Sequence, residues 1–281
     1  MIEKLFLSVG AMKAGTTWLH HQLQDHPEIV FTPEKEIHYF CAPDGQSAPM
    51  RQVDRVERFK RVVSNVNSER FNRRVRFNLS WYTRRYLHPM DNDAWYESLF
   101  AHGHDGQWCA DFSNLYSVMD SGRWEKVRSV ADKLRVVYTL RHPLKRMWSQ
   151  LVFFHEYSGS GVDVTNWSKG DFERFYNMGQ EGDHVDYASN VARLRALLSE
   201  EELEILFFED DREKTLNRIE TFLDIEVRRY SESRLQRRVN ASKSPPPTAD
   251  FVDFAAPIHH QQVKALTEAG LQLPQSWNVA A

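Results

Sequence analysis

The strongest constraint on this chain is a glycine-punctuated segment near its start. Leu5 to Val9 is a short apolar run that reads as a buried parallel strand, and it leads into Gly10-Ala11-Met12-Lys13-Ala14-Gly15-Thr16-Thr17. A helix is expected from about Thr16 to Gln24, with Trp18, Leu19, Gln22 and Leu23 on one side. His26-Pro27 ends it, because the residue before a proline avoids helical geometry. Strand, glycine loop and helix in this order form a phosphate cradle. Two glycines five apart let the backbone wrap an anion, and the helix N-terminus offers free N–H groups and a partial positive charge. The loop of nucleoside triphosphatases places its lysine directly after the second glycine. Here Thr16 stands in that place and the lysine lies inside the loop, as Lys13.

The same alternation returns along the chain. Glu28 to Phe31 reads as a second short strand, and Arg135 to Leu140 as a central, β-branched and aromatic one. Arg141-His142-Pro143 turns the latter into a helix carrying Lys145 to His155, with Pro143 in the first turn, where its missing N–H costs little. A helix over Tyr187 to Leu198, a strand over Glu204 to Phe208 and a helix over Arg212 to Leu223 follow. Strands alternating with helices predict an α/β fold, a three-layer parallel sheet with helices on both faces. Residues 41–130 are rich in arginine, aromatics and turn formers, without a clean strand period, and are expected to form a largely helical insertion over the sheet. Residues 244–281 begin with Ser244-Pro245-Pro246-Pro247, a stiff linker, and continue as a mildly amphipathic C-terminal extension. The 281 residues, 41% of them hydrophobic, fit a single domain spanning 1–281. No apolar run approaches the ~20 residues of a membrane-spanning helix. Cys41 and Cys109 match no metal-ligand spacing and fit a reducing, cytoplasmic setting. Folded structure is expected to begin almost at the first residue, leaving no room for a targeting segment.

Residues 10–19, Gly-Ala-Met-Lys-Ala-Gly-Thr-Thr-Trp-Leu, resemble the 5′-phosphosulfate loop of sulfotransferases that use 3′-phosphoadenosine 5′-phosphosulfate (PAPS) and release 3′,5′-adenosine bisphosphate. The resemblance implies a nucleotide-binding fold of the P-loop, sulfotransferase type. It places Lys13, Ala14, Gly15, Thr16 and Thr17 around the 5′-phosphate. Lys13 would meet the oxygen between phosphorus and sulfur, where S–O cleavage builds charge that a fixed ammonium stabilises. No metal is implied, because a sulfuryl group carries less charge than a phosphoryl group. Trp18 either packs against the sheet or stacks near the adenine. Leu140 to Ser149 resembles the family's 3′-phosphate motif, an arginine after a strand and a serine eight residues on, filled here by Arg141 and Ser149. Arginine suits the role because its planar fork grips phosphate with two hydrogen bonds. Both motifs would lie beyond the carboxyl ends of strands, where ligands gather in such sheets. Arg237 to Lys243 is similar to a late basic loop over the 3′-phosphate and nominates Lys243, although the glycines common there are absent. Taken one at a time, these side chains also read as solvated charges or helix-face residues.

An acceptor hydroxyl must lose a proton as sulfur is transferred, and a positioned base contributes ~10²–10⁴-fold. Pro33-Glu34-Lys35-Glu36-Ile37-His38-Tyr39-Phe40 is similar to the base segment of the glycan-modifying, heparan sulfate branch of the family, which puts Glu36 at the base position. His38 is the runner-up, with an ordinary histidine pKa near ~6.5. In an extended segment the two would face the same side and line the cleft together. Asp111 to Tyr116 aligns with a family segment that touches acceptor but lacks its proline and lysine, so Ser113 has no support.

From Arg51 to Arg85 eleven Lys or Arg meet three Asp or Glu, a local charge of +8 in a chain whose net charge is −3. This stretch reads as a groove for an anionic or sugar-like acceptor, a patch for anionic lipid headgroups, or solvated helix faces. Nucleic acid is not an expected partner, since the chain is slightly acidic and shows no recognition motif. The leading function is therefore a PAPS-dependent sulfotransferase acting on a hydroxyl, or an amine, of a glycan, lipid or small molecule. Two alternatives stand beside it. One is a P-loop kinase or nucleotidase, for which Leu206-Phe207-Phe208-Glu209-Asp210 imitates the magnesium-holding strand end. The other is a non-catalytic nucleotide or glycan binder on the same fold.

Overall fold

The computed structural model describes residues 1–41, 51–66, 71–90, 92–177, 182–237, 239 and 245–278. Five strands, β1 Ile2–Ser8, β2 Ile29–Phe31, β3 Trp108–Phe112, β4 Ala131–Leu140 and β5 Leu203–Phe207, form one parallel sheet in the order β2-β3-β1-β4-β5. Leu5 of β1 lies between Cys109 of β3 and Leu134 of β4. Alternate side chains of β1 serve opposite faces, so the strand reads as a continuous apolar run rather than an alternating one. Leu5 and Leu7 join a core with Val136, Tyr138, Trp124 and Val191, while Phe6 joins one with Leu19, Leu23, Leu216 and Ile219.

The helices are α1 Thr16–Leu23, α2 Gln52–Ser64, α3 Arg73–Trp81, α4 Asp93–Ser98, α5 Ser121–Val130, α6 Pro143–Ser158, α7 Lys169–Asn177, α8 Gly182–Val185, α9 Tyr187–Leu197, α10 Arg212–Phe222, α11 Glu232–Leu235 and α12 Ala249–Glu268. α1 and α10 cover one face of the sheet, and α5, α9 and the helices between β2 and β3 cover the other. No described helix is long and apolar enough to cross a membrane. β1, β2, α1, α6, α9, β5 and α10 fall within a few residues of their expected bounds.

Two regions depart from expectation. The stretch 41–130 is helical in α2 to α5 but also contains β3, which the sequence hides. Trp108 to Phe112 is buried on both faces and so shows no alternation, and its Asp111 breaks the apolar run. The C-terminal extension, expected only as a mildly amphipathic segment after a stiff linker, contains a 20-residue helix. α12 packs on α6 and α7, and Trp277 is fully buried against Phe207 and Tyr187.

The strand order fixes where a ligand can sit. The chain leaves β1 towards β2 on one side and leaves β4 towards β5 on the other, so the carboxyl ends of β1 and β4 border a crevice, and the β3–β4 connection runs along its rim, with Ser117 N donating to Val9 O. The loop after β1 is stitched to β4 by Ala11 N donating to Thr139 O (2.7 Å) and Thr139 N donating to Gly10 O (2.8 Å).

Candidate active site

One half of the crevice is the glycine loop. Gly10 has φ 130°, and a Cβ there would meet Asn114 O at 2.9 Å. Gly15 has φ 85° and is the N-cap of α1, and a Cβ on it would lie 2.5 Å from the Phe208 ring. Both positions therefore require glycine. No side chain caps α1, which leaves its first-turn amides directed at the loop. Lys13 is itself at φ 64°, and its ammonium lies over the Phe153 ring at 4.1 Å. Burial lowers its pKa, Arg141 adds to that, and Glu156 opposes it.

Arg141 leaves the end of β4 and folds back on the loop, its Nη1 donating to Lys13 O at 2.9 Å and its guanidinium stacking on Phe208 at 4.9 Å. Its Nε is buried with no hydrogen-bond partner among the described residues. Phe208 touches both Gly15 and Arg141 while remaining 42% exposed. Sequence reading passed over it, although an exposed aromatic just beyond a strand's carboxyl end was the available signal. Ser149 is buried on α6, eight residues from Arg141 as expected. Trp18 is committed elsewhere: its indole N–H donates to Leu235 O at 3.3 Å and Arg212 stacks on its ring at 5.5 Å. Ala14 is buried, Thr17 is half-buried, and Lys243 lies outside the described residues.

The other half is the segment after β2, and it is not extended. Glu36 and His38 both sit at positive φ, 61° and 56°, with Ile37 buried between them. They meet nonetheless, His38 Nε2 lying 3.1 Å from Glu36 Oε2, because the curled backbone rather than strand alternation aims both inward. Oε2 also accepts from Asn114 N at 2.9 Å, and Oε1 is paired with Lys35 Nζ at 2.6 Å. Lys35 reaches back to Thr16 Oγ1 at 3.3 Å, which joins this segment to the phosphate loop. Burial alone would raise the Glu36 pKa, but the Lys35 charge and the His38 hydrogen bond outweigh it and hold the carboxyl at about 2.

Distant residues hold this conformation. Arg58 of α2 donates to Glu34 Oε1 at 3.1 Å and to Glu36 O at 2.9 Å, and the Tyr82 hydroxyl donates to Glu34 Oε2. His38 N donates to Ser113 Oγ at 2.9 Å, and Ser113 donates to Asp111 Oδ1 at 2.6 Å. Asp111 Oδ2 accepts from Tyr96 (3.0 Å) and Tyr116 (2.7 Å). Burial pushes the Asp111 carboxyl up, opposed by its three hydroxyl donors. Ser113 is thus a strut beneath His38.

The arginine-rich stretch divides. Arg55 is buried, donating to Tyr86 O and His88 O, and Arg58 and Arg85 also bond within the protein. Arg73, Arg74, Arg76 and Arg84 are exposed. A cavity of about 440 Å3 opens beside α6 and the loop that follows it, lined by Val152, His155, Glu156, Val162, Asp163 and Pro245 among others. Of the two acids in the segment that imitates a magnesium-holding strand end, Glu209 has both oxygens engaged: Oε1 accepts from His142 N and Oε2 from Trp277 Nε1, each at 3.0 Å.

A model of the sulfotransferase family matches residues 6–229. Among solved structures the fold is similar to a sulfotransferase from Alicyclobacillus acidocaldarius, with TM-score 0.66 and 18% identity over 99% of this chain and 100% of that one. It is also similar to the sulfotransferase domain of the Synechococcus PCC 7002 olefin synthase (TM-score 0.50, 14% identity, 98% of each chain). The sulfotransferase domain of the curacin biosynthetic pathway compares likewise (TM-score 0.51, 14% identity, 97% of this chain and 99% of that one). At these identities the likeness speaks for the fold. No curated protein sequence is detectably similar to the chain.

Proposed function

The chain belongs to the sulfotransferase family, and on that premise we propose that it carries the sulfuryl group of PAPS to an acceptor hydroxyl, with Glu36 as the base. One observation carries the reading. Lys13 and Arg141 converge at the β1–β4 crevice, and the Glu36 carboxylate is joined to the same loop through Lys35 and Thr16. The residues present fit an anionic nucleotide. The uncapped start of α1, the two obligatory glycines and the Arg141 Nε, without a partner among the described residues, are features that a phosphate would complete.

In this reading the loop amides and Thr16 hold the 5′-phosphate, and Arg141, with Ser149, meets the 3′-phosphate. PAPS supplies an activated sulfur whose bond to the phosphate oxygen breaks as the bond to the acceptor oxygen forms. Glu36 takes the proton of that acceptor hydroxyl. Lys13 neutralises the charge left on the phosphate oxygen. His38, 3.1 Å from Glu36 Oε2, orients the carboxylate.

Glu36→Gln tests the assignment. Transfer of labelled sulfuryl from PAPS is expected to fall by ~10²–10⁴-fold, while 3′,5′-adenosine bisphosphate still binds in calorimetry. Turnover at the wild-type rate overturns Glu36 as the base. Binding of ATP with magnesium in preference to the bisphosphate overturns the donor.

A further inference from the structure

Glu36 is not free to act as it stands. Oε2 is occupied by two fixed donors, the Asn114 amide and the His38 imidazole. Oε1 is therefore the oxygen left for a substrate proton, and the Lys35 ammonium sits on it at 2.6 Å. The same ammonium lies 3.3 Å from Thr16 Oγ1, in the first turn of α1, where the loop presents its amides. Lysine carries three donors on a flexible stem and turns readily between two acceptors. Arg58, the other cation on this segment, is bound to Glu34 and to backbone carbonyls and does not compete for Oε1.

We propose that Lys35 is shared between Glu36 and the 5′-phosphosulfate of the donor, so that donor binding draws the ammonium off Oε1 and uncovers the base. The proposal rests on the donor and base assignments above. The movement exchanges hydrogen bonds only. In the step that follows, the acceptor proton passes to the vacated Oε1 as its oxygen bonds to sulfur, and the electron pair of the broken S–O bond stays on the phosphate. Lys35 is thus a donor-binding and positioning residue, and it orders the reaction: an acceptor meeting the empty enzyme finds the base masked.

Competition for one ammonium has a signature that a purely structural role lacks. The dissociation constant of 3′,5′-adenosine bisphosphate is measured on the full chain for wild type, Lys35→Met, Glu36→Gln and the double variant, each checked for folding by circular dichroism. Lys35→Met is expected to weaken binding ~10-fold, the scale of a charge-assisted hydrogen bond. Glu36→Gln is expected to tighten it ~3- to 10-fold by releasing Lys35 to the phosphate. The double variant is expected to match Lys35→Met. Lys35→Arg should restore binding, and Lys35→Gln replaces Lys35→Met if the latter does not fold. The proposal is overturned if Glu36→Gln binds no tighter than wild type. It is equally overturned if the gain persists in the K35M background, since simple relief of charge repulsion would act in both. If wild type itself fails to bind the bisphosphate, the donor assignment falls, and Lys35 with it.

Discussion

The loop from Gly10 to Gly15 and the segment from Glu34 to His38 both hold non-glycine residues at positive φ, Lys13 in one and Glu36 and His38 in the other. They are held there by different means. The loop is fixed mainly through its backbone: Val9 and Ala11 donate to β4 carbonyls and Gly10 accepts from Thr139, with Arg141 Nη1 adding a bond to Lys13 O. Its lysine side chain reaches away to the Phe153 ring while the main chain does the structural work. The Glu34–His38 segment is fixed through side chains brought from far along the chain: Arg58, Tyr82, Ser113 and, beneath Ser113, Asp111. A site held by backbone tolerates side-chain change, whereas one held by side chains fails with its supports.

That contrast predicts a graded series. Lys13→Met should lower turnover by ~10²–10³-fold, the scale of losing one preorganised charge at a developing anion, with little change in the denaturation midpoint. A large loss of stability would break the contrast. Asp111→Ala should do the opposite first, costing about 3 kcal/mol in denaturant titration by stranding the hydroxyls of Ser113, Tyr96 and Tyr116. A neutral result would show that His38 needs no strut.

The two carboxylates should then separate in pH. Glu36 has a folded pKa held at about 2, below its ordinary 4.5, so its stabilising share is complete above 4.5 and is lost as pH falls towards 2. The stability gap between wild type and Glu36→Gln, about 1–2 kcal/mol at pH 6, should close over that window in urea titrations. Asp111 is shifted upward from 3.8, so its share is complete below 3.8 and is lost as pH rises through its folded value. Equal pH behaviour of the two would sharpen the view that both belong to one network. Smallest of all, replacing the exposed Arg73, Arg74 and Arg76 by Gln should move stability by less than ~0.5 kcal/mol. Sedimentation of wild type and this variant with anionic vesicles decides the lipid reading, which ends if the wild type stays in the supernatant.

Much of the proposed site was legible in the chain because it is local. Gly10, Lys13, Gly15 and Thr16 lie within seven residues, and what they require is a strand before them and a helix after them. Arg141 and Glu36 were nominated through the resemblance of Leu140 to Ser149 and of Pro33 to Phe40 to family segments. The extended reading of Glu36 and His38 failed because alternation predicts where side chains point only when the backbone is a strand, and here Phe112, Ser113 and Asn114 curl it instead. β3 was missed for a related reason. A central strand has no outward face to betray its period, and Asp111 looks out of place until its three hydroxyl donors are seen.

The sequence alone determined the α/β alternation and the glycine loop with its lysine in an inner position, and it nominated Lys13, Glu36, His38 and Arg141 but neither Phe208 nor Lys35. Those features arise from backbone requirements and periodicities that operate over about ten residues. Only the tertiary structure decided what surrounds the Glu36 carboxylate. Lys35 on one oxygen, Asn114 N and His38 on the other, and Arg58 on the backbone are drawn from 1 to 78 residues away. A carboxylate's basicity follows from whichever donors packing delivers to it, and packing is a property of the whole fold.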